Sequence, residues 1–281
     1  MSPSNLPFWR RSVIARFACI AVAILPAIAL HTWKFDPGLP MRFAWLAAFG
    51  AGMTLLISAW PPPSPARLGH GQPVRRRDLL PSSLLAALTG AALLASLWPA
   101  GDPTWPSVAG WTLALAVQRA LGGWAVNPFP PELMALAVAV ALARFVSGSD
   151  VAPPLVSLFD AGIVASGWIA AGVLLVLLRL RTWRAPLAFF LPVLLVCFQG
   201  GIAATSFVTA AIVASLVVAD TRHLPATRSG QIAVGALAGL GTALLWFSDA
   251  PPVAIACPCL LAFALSPWIE RVTTPRLDLS P

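Results

Sequence analysis

The chain consists of a succession of apolar runs, each about 20 residues long, separated by short segments that contain Pro, Gly or Arg. A helix of about 20 apolar residues crosses a hydrocarbon core of roughly 30 Å, and its backbone satisfies its own hydrogen bonds there. The pattern predicts ten spans, near residues 12–32, 41–60, 79–98, 105–122, 130–147, 161–180, 185–200, 201–219, 230–248 and 251–269. The predicted fold class is therefore an all-α polytopic membrane protein.

The composition supports this fold class and excludes others. Hydrophobic residues make up 58% of the chain and charged residues only 10%, whereas a soluble domain has about a quarter charged residues. The net charge of +8 does not indicate nucleic-acid binding, because the Arg residues lie in short loops between apolar runs rather than on one basic face. The lipid bilayer is thus the expected environment of the chain.

The distribution of the Arg residues predicts the topology. With the N-terminus in the cytoplasm, nearly all Arg residues fall in segments on the cytoplasmic side, as the positive-inside rule requires. The opposite loops contain Lys34 and Arg42 and, further along the chain, Asp102, Asp150, Asp160 and Asp249. The first apolar run is interpreted as a retained span rather than a cleaved signal peptide. We therefore expect a multi-pass protein of the bacterial inner membrane with both termini in the cytoplasm.

A Pro-Pro pair opens the fifth span at Pro130 and Pro131, and another opens the tenth at Pro251 and Pro252. Pro is tolerated in the first turn of a helix. An offset of five spans reverses the orientation in the membrane, so the pairs predict two inverted five-helix repeats; chance coincidence among 28 prolines is the alternative. The chain is treated as one integral membrane domain, 1–281, with two N-terminal helices and a basic loop in 1–74, the first repeat core in 75–150 and the second repeat in 161–272.

All four cysteines lie within apolar runs, where a small buried side chain is the default interpretation. Cys257-Pro258-Cys259 resembles the transmembrane copper site of heavy-metal P-type ATPases, but the chain lacks the Asp-Lys-Thr-Gly-Thr phosphorylation motif of those pumps. Thiolates can bind Cu(I), yet no Met or His cluster accompanies the pair. We therefore expect packing roles for Cys257 and Cys259 and no metal site, with metal binding as the minor alternative.

Several motifs between residues 75 and 272 resemble those of one membrane-protein family. They are Gln118-Arg119-Ala120-Leu121-Gly122-Gly123, Asn127-Pro128-Phe129-Pro130, Asp220-Thr221 followed by Pro225-Ala226-Thr227, and Ser266-Pro267. In this order, on a ten-span chain, they resemble the D subunit of the Rnf electron-transport complex and the B subunit of the sodium-pumping NADH:quinone reductase. The resemblance implies a subunit that passes electrons through flavin within a redox-driven translocase and has no complete active site of its own.

The resemblance also implies where flavin would bind. Family members carry a covalent FMN on the Thr of a Ser-Gly-Ala-Thr motif in the outer loop after the fifth span, and riboflavin near the Asn-Pro-Phe motif on the cytoplasmic side. In this chain the outer loop reads Ser147-Gly148-Ser149-Asp150 and has no Thr. We therefore expect covalent FMN to be lost, although the Ser149 hydroxyl could replace the Thr, and expect riboflavin or FMN to be bound without a covalent bond.

Asn127 is the leading candidate for flavin contact. Its amide can donate to and accept from the carbonyl–imide edge of the ring, and Gly122 and Gly123 allow close approach. A helix cap is the alternative role of Asn127. Asp220 ends the eighth span on the inner side, where a solvated cap and a cytoplasmic cation contact are both open. The candidate cofactor-binding residues are Gly122, Gly123, Asn127, Phe129, Ser147, Gly148, Ser149 and Asp220.

The same resemblance predicts the partners. They are other membrane subunits of an electron-transport complex and a periplasmic flavoprotein or iron–sulfur subunit. Two alternatives remain open. One is a channel or transporter for a small solute, because inverted five-helix repeats of this family resemble urea-channel architecture. The other is a non-redox structural subunit of a membrane complex.

Overall fold

The fold is helical throughout the described part of the chain. The structure is a computed structural model that describes residues 13–59, 76–99, 102–120, 129–147, 157–200, 204–246 and 251–274. Within these ranges it contains ten helices, and each coincides with one predicted span to within a few residues. They are α1 (Val13–Lys34), α2 (Leu39–Ala59), α3 (Arg76–Leu97), α4 (Trp105–Ala120), α5 (Pro131–Ser147), α6 (Leu158–Leu177), α7 (Arg184–Gly200), α8 (Ala204–Ile212, continued by a π-helix over Val213–Val218), α9 (Arg228–Leu244) and α10 (Pro251–Thr273).

Four of the described helices are long and apolar enough to cross a membrane, judged by length and composition. They are α1, α2, α6 and α10, with candidate spans Ala15–Lys34, Leu39–Ser58, Leu158–Leu177 and Pro252–Thr273. Helix α4 has 16 residues and is therefore about 24 Å long. The chain is thus a helical membrane protein, while the crossing of the bilayer by all ten helices stays a prediction.

Large apolar side chains point away from the bundle. Leu56, Phe145, Phe198 and Leu244 are 71%, 90%, 87% and 85% exposed. An apolar surface of this kind marks contact with another apolar phase, and lipid supplies that phase for a helical bundle. The exposed face therefore agrees with the membrane environment that the composition predicts.

The principal helix contacts repeat with an offset of five helices. In the first half α2 contacts α3 and α4, α4 contacts α5, and α3 contacts α1 and α5. In the second half α7 contacts the π-helix after α8 and also α9, α9 contacts α10, and α8 contacts α6 and α10. The main contacts between the halves join α1 to α6, α3 to α8 and α5 to α10. Each helix in these cross-contacts meets the helix five places further along the chain.

Helices α1 and α6 run in opposite directions. Lys34 at the end of α1 pairs with Asp160 in the first turn of α6, with 3.6 Å between Nζ and Oδ1. Further along, the indole N–H of Trp168 donates to Nδ1 of His31 at 3.3 Å. At the start of α1 the guanidinium of Arg222, from the loop after α8, lies 5.5 Å from the ring centre of Phe17. The turn after α6 and the turn after α1 are therefore at opposite ends of the bundle.

We call the end that holds the α1–α2 turn the outer end and the opposite one the inner end, following the predicted topology. Glycine brings the helices of the second half together between these ends. Gly235 and Gly239 of α9 face the main chain of α7 at Ala185 and Phe189; a Cβ atom on either would approach the facing Cα to 2.8 Å. Their four-residue spacing is a known motif for close packing of membrane helices.

Candidate functional site

The structure describes part of the predicted flavin site. Phe129 lies two residues before the start of α5 and is half-buried, and Asp220 follows the π-helix and is buried. Ser147 is the last residue of α5. The other predicted site residues lie outside the described residues: Gly122, Gly123, Asn127, Gly148 and Ser149. The site is therefore built here from Phe129, Asp220 and the side chains around them at the inner end.

Asp220 forms the centre of a buried ion cluster. Its carboxylate accepts hydrogen bonds from Nε of Arg222, at 2.9 and 3.1 Å, and from the backbone N–H of the same residue at 3.0 Å. It also pairs with Arg181 from the α6–α7 turn. Asp220 and Arg181 are 3% and 9% exposed. Asp220 is therefore a buried ion-pair partner and not the solvated cap that its position after the eighth span suggested.

Charge compensation keeps Asp220 ionised. Burial by itself raises the pKa of this carboxyl group, but the guanidinium groups of Arg181 and Arg222 outweigh burial and hold the pKa well below its ordinary value. For Arg222, burial lowers the pKa, and the attraction of Asp220 outweighs that effect and raises it. Opposite charges at short range favour the charged form of both partners. At neutral pH the cluster therefore contains ion pairs rather than neutral groups.

Glu132 joins this cluster and was missed in the sequence. It lies in the first turn of α5, is 7% exposed and interacts electrostatically with Arg181, Asp220 and Arg222. We call Glu132, Arg181, Asp220 and Arg222 the inner cluster. The available signal was a Glu directly after Pro-Pro in an apolar run, since an ionisable residue in such a run is a candidate for function.

Hydrogen bonds between neighbours of the inner cluster tie together the segments around it. The backbone N–H of Thr182 donates to the carbonyl oxygen of Ala219 at 3.1 Å, and its hydroxyl donates to Oε1 of Gln231 at 2.9 Å. The N–H of Ala226 donates to Oε1 of Glu270 at 3.2 Å. These bonds join the α6–α7 turn, the start of α9 and the end of α10. The inner end is therefore tied together by residues far apart in the sequence.

Two buried donors at the inner end are suited to a ligand with carbonyl acceptors. Nε2 of Gln118, in the last turn of α4, and Nε of Arg181 are buried and have no hydrogen-bond partner among the described residues. Buried donors in proteins are normally satisfied. The carbonyl oxygens of an isoalloxazine ring accept such bonds, and Phe129 lies at the same end beside α5. These donors, together with Phe129, are the described groups at this end that could contact the carbonyl edge of such a ring.

A second buried ion cluster lies at the outer end. Arg42, at the start of α2, pairs with Asp36 and donates from Nη1 to the carbonyl oxygen of Pro99 at 3.1 Å. Asp36 and Arg42 are 4% and 5% exposed. Burial raises the pKa of Asp102, an effect that Arg42 opposes. We call Asp36, Arg42 and Asp102 the outer cluster.

An apolar groove of about 690 Å³ lies between α2 and α4. Trp45, Phe49 and Met53 of α2 line one side, and Trp105 and Thr112 of α4 belong to the other. The hydroxyl of Thr112 already donates to the carbonyl oxygen of Val108 at 2.9 Å. None of the described residues that line the groove belongs to the predicted flavin-binding set.

The Cys257-Pro258-Cys259 pair does not converge. Cys257 is exposed on the surface of α10, whereas Cys259 is buried. Residues two apart on a helix point to different sides. No group of three or more His, Cys, Asp or Glu residues suited to a metal ion occurs within the described ranges. Cys259 is therefore a buried packing residue, whereas Cys257 faces the surroundings of the helix.

Comparison with known proteins gives one relevant relative. No family model matches the chain. The chain is similar to the D subunit of the ion-translocating oxidoreductase complex of Methanosarcina acetivorans, with 28% identity over 202 residues, or 66% of this chain and 69% of that protein. The motifs between residues 75 and 272 resemble the D subunit of the same kind of complex. The similarity supports the interpretation of this chain as a membrane subunit of an ion-translocating oxidoreductase.

Proposed function

We propose that this chain is the D-type subunit of an ion-translocating oxidoreductase complex, of the kind represented by Rnf and the sodium-pumping NADH:quinone reductase. Similarity to a D subunit of such a complex, over about two thirds of both chains, is the observation that carries the proposal. The chain works with other membrane subunits and with a periplasmic flavoprotein or iron–sulfur subunit. It passes electrons between partners and does not complete a reaction alone.

The proposed architecture is ten membrane spans in two inverted five-helix repeats, with both termini in the cytoplasm. Two features support it. The principal contacts repeat with an offset of five helices, and α1 and α6, which correspond under that offset, run in opposite directions. Inverted repeats place ligands near their shared axis, at irregular helix ends. The beginning of α5 at the inner end is such a place.

We assign the flavin, as riboflavin or FMN without a covalent bond, to the inner end. Phe129 and Gln118 contact the ring together with Asn127, Gly122 and Gly123, while the ion pairs of Asp220 hold the neighbouring loop. A bound flavin supplies a centre that accepts and releases electrons, and the protein positions it and tunes its surroundings. Because the outer loop lacks the Thr acceptor, we assign no covalent FMN to Ser149 or its neighbours.

Flavin analysis of the complex purified from its native membrane tests this proposal. We expect denaturation to release flavin from this chain, and mass spectrometry of the 146–155 peptide to show no added mass. Gln118→Ala removes a donor and is expected to lower flavin content, whereas Thr112→Ala, in the groove away from the inner end, leaves it unchanged. A colourless protein without flavin that conducts a small solute in liposomes would support the channel alternative and reject electron transfer.

A further inference from the structure

The outer and inner clusters occupy equivalent places in the two halves of the chain. The outer cluster joins the α1–α2 turn, through Asp36, and the start of α2, through Arg42, to the α3–α4 loop, through the carbonyl oxygen of Pro99 and the charge of Asp102. The inner cluster joins the α6–α7 turn, through Arg181, to the α8–α9 loop, through Asp220. A shift of five helices converts the first pair of connections into the second. The two clusters lie at opposite ends of the bundle.

The chemistry of the two clusters is similar as well. In the inner cluster, buried Arg181 from the α6–α7 turn pairs with Asp220 from the loop before α9. In the outer cluster, buried Arg42 at the start of α2 pairs with Asp36 in the α1–α2 turn and is attracted by the charge of Asp102 in the loop before α4. Arg42 and Arg181 have side chains that are 7% and 5% exposed. A second ionised group completes each cluster: Asp36 supports Arg42 at the outer end, and Arg222 supports Asp220 at the inner end. The sequences around the four residues show no likeness, so the equivalence is visible only in the fold.

Each cluster fixes the end of a central helix. Helix α3 ends at Leu97, two residues before Pro99, and the π-helix that continues α8 ends at Val218, two residues before Asp220. Helices α3 and α8 contact each other across the two halves. The outer cluster therefore holds the last turn of α3, and the inner cluster holds the last turn of α8. The contact between α3 and α8 is thus flanked by an ion cluster at each end of the bundle, and each cluster adjoins the end of a different one of these two helices.

We propose that the outer and inner clusters stabilise the two ends of the α3–α8 contact in equivalent ways. Either cluster can open, with loss of its ion pairs, while the other stays closed. Removing one partner of a buried ion pair leaves an uncompensated charge and is strongly destabilising. That cost falls on the residues that the cluster connects, because the two clusters lie at opposite ends of the bundle. The proposal rests on the repeat arrangement proposed above, and its outer cluster lies at the end opposite the proposed flavin site.

Hydrogen exchange of the full-length protein in lipid nanodiscs tests the proposal. Arg42→Gln is expected to raise exchange by about tenfold or more in peptides around Asp36 and Asp102, and to leave peptides around Arg181 and Asp220 unchanged. Arg181→Gln is expected to give the converse result. If either variant does not fold, Asp102→Asn and Arg222→Gln remove outlying members of the two clusters and provide the same comparison. The double variant Arg42→Gln/Arg181→Gln is expected to show the two local effects added together.

The matched controls are Arg144→Gln, at the outer end of α5, and Arg228→Gln, at the inner start of α9. Both Arg residues are exposed, and both variants make the same chemical change as the test variants. They are expected to leave exchange unchanged at both faces. Faster exchange at both faces in either single test variant would overturn independent opening. Unchanged exchange in folded Arg42→Gln and Arg181→Gln protein would show that the two clusters do not stabilise these ends. Flavin content, measured in parallel, keeps this result separate from the proposed redox function.

Discussion

At Asp220, burial and ion pairing act on one carboxyl group in opposite directions. Burial favours the neutral form, whereas Arg181 and Arg222 favour the charged form, and the charged form prevails. The motif around Asp220 is visible in the sequence, but its partner Arg181 lies in a different turn and only the fold brings the two together. A motif therefore identified the residue, and tertiary contacts determined its role.

Asp220→Asn is expected to lower the free energy of unfolding by about 3–5 kcal/mol, because it leaves two Arg side chains with one fewer counter-charge. The pKa of Asp220 in the folded state is well below its ordinary value of 3.8. Its stabilisation is therefore complete above that ordinary value and is lost as the pH falls through the lower pKa of the folded state.

The difference in melting temperature between the wild-type protein and Asp220→Asn, measured from pH 8 to pH 3, checks this expectation. It should stay constant at neutral and mildly acidic pH and begin to shrink only near pH 4. A difference that disappears between pH 7 and pH 5 would show that Asp220 is not held in its ionised form.

At the scale of helices, the sequence predicts positions better than it predicts contacts. The apolar runs located all ten described helices, because length and composition act locally. Local reasoning did not predict that the eighth helix ends as a π-helix over Val213–Val218, opposite Gly172 of α6. A Cβ atom on Gly172 would lie 2.6 Å from Cβ of Ser215. This contact depends on how two distant helices meet.

Gly235→Ala is expected to destabilise the protein by about 1–3 kcal/mol, because the added methyl group has to displace the main chain of α7 at Ala185. Gly52→Ala is the matched control. A Cβ atom on Gly52 would have no other atom within 4 Å, and alanine favours a helix over glycine. Thermal unfolding in the same lipid or detergent measures both, and equal melting temperatures for the two variants would contradict the close α7–α9 contact.

At the scale of the whole molecule, the charge pattern predicts which end faces the cytoplasm. Pro37, in the α1–α2 turn, and Ser229, at the start of α9, are exposed at opposite ends. In a variant without the four native cysteines, Pro37→Cys should react with a membrane-impermeant maleimide in intact cells, and Ser229→Cys only after lysis. The reverse pattern would invert the topology, and labelling of both in intact cells would contradict the predicted number of spans.

The number of described helices, the helical class and the resemblance to the D subunit of an oxidoreductase complex followed from local composition and ordered motifs. The inner cluster did not, because Glu132, Arg181 and Asp220 belong to segments that meet only after the helices have packed. Flavin binding is a prediction of the same motifs, and three of its central residues, Gly122, Gly123 and Asn127, lie outside the described ranges. The sequence therefore predicted the class of protein, and the packing of the helices showed which buried groups stabilise the ends of the bundle.

Helix α4 is about 24 Å long, and its neighbour α5 has only 17 residues. Both are shorter than a typical hydrocarbon core of roughly 30 Å. With both helices crossing the bilayer as predicted, lipid beside this pair would compress to match them, at a cost of fractions of a kcal/mol for each ångström of mismatch. Membranes with shorter acyl chains are therefore expected to suit this side of the protein best.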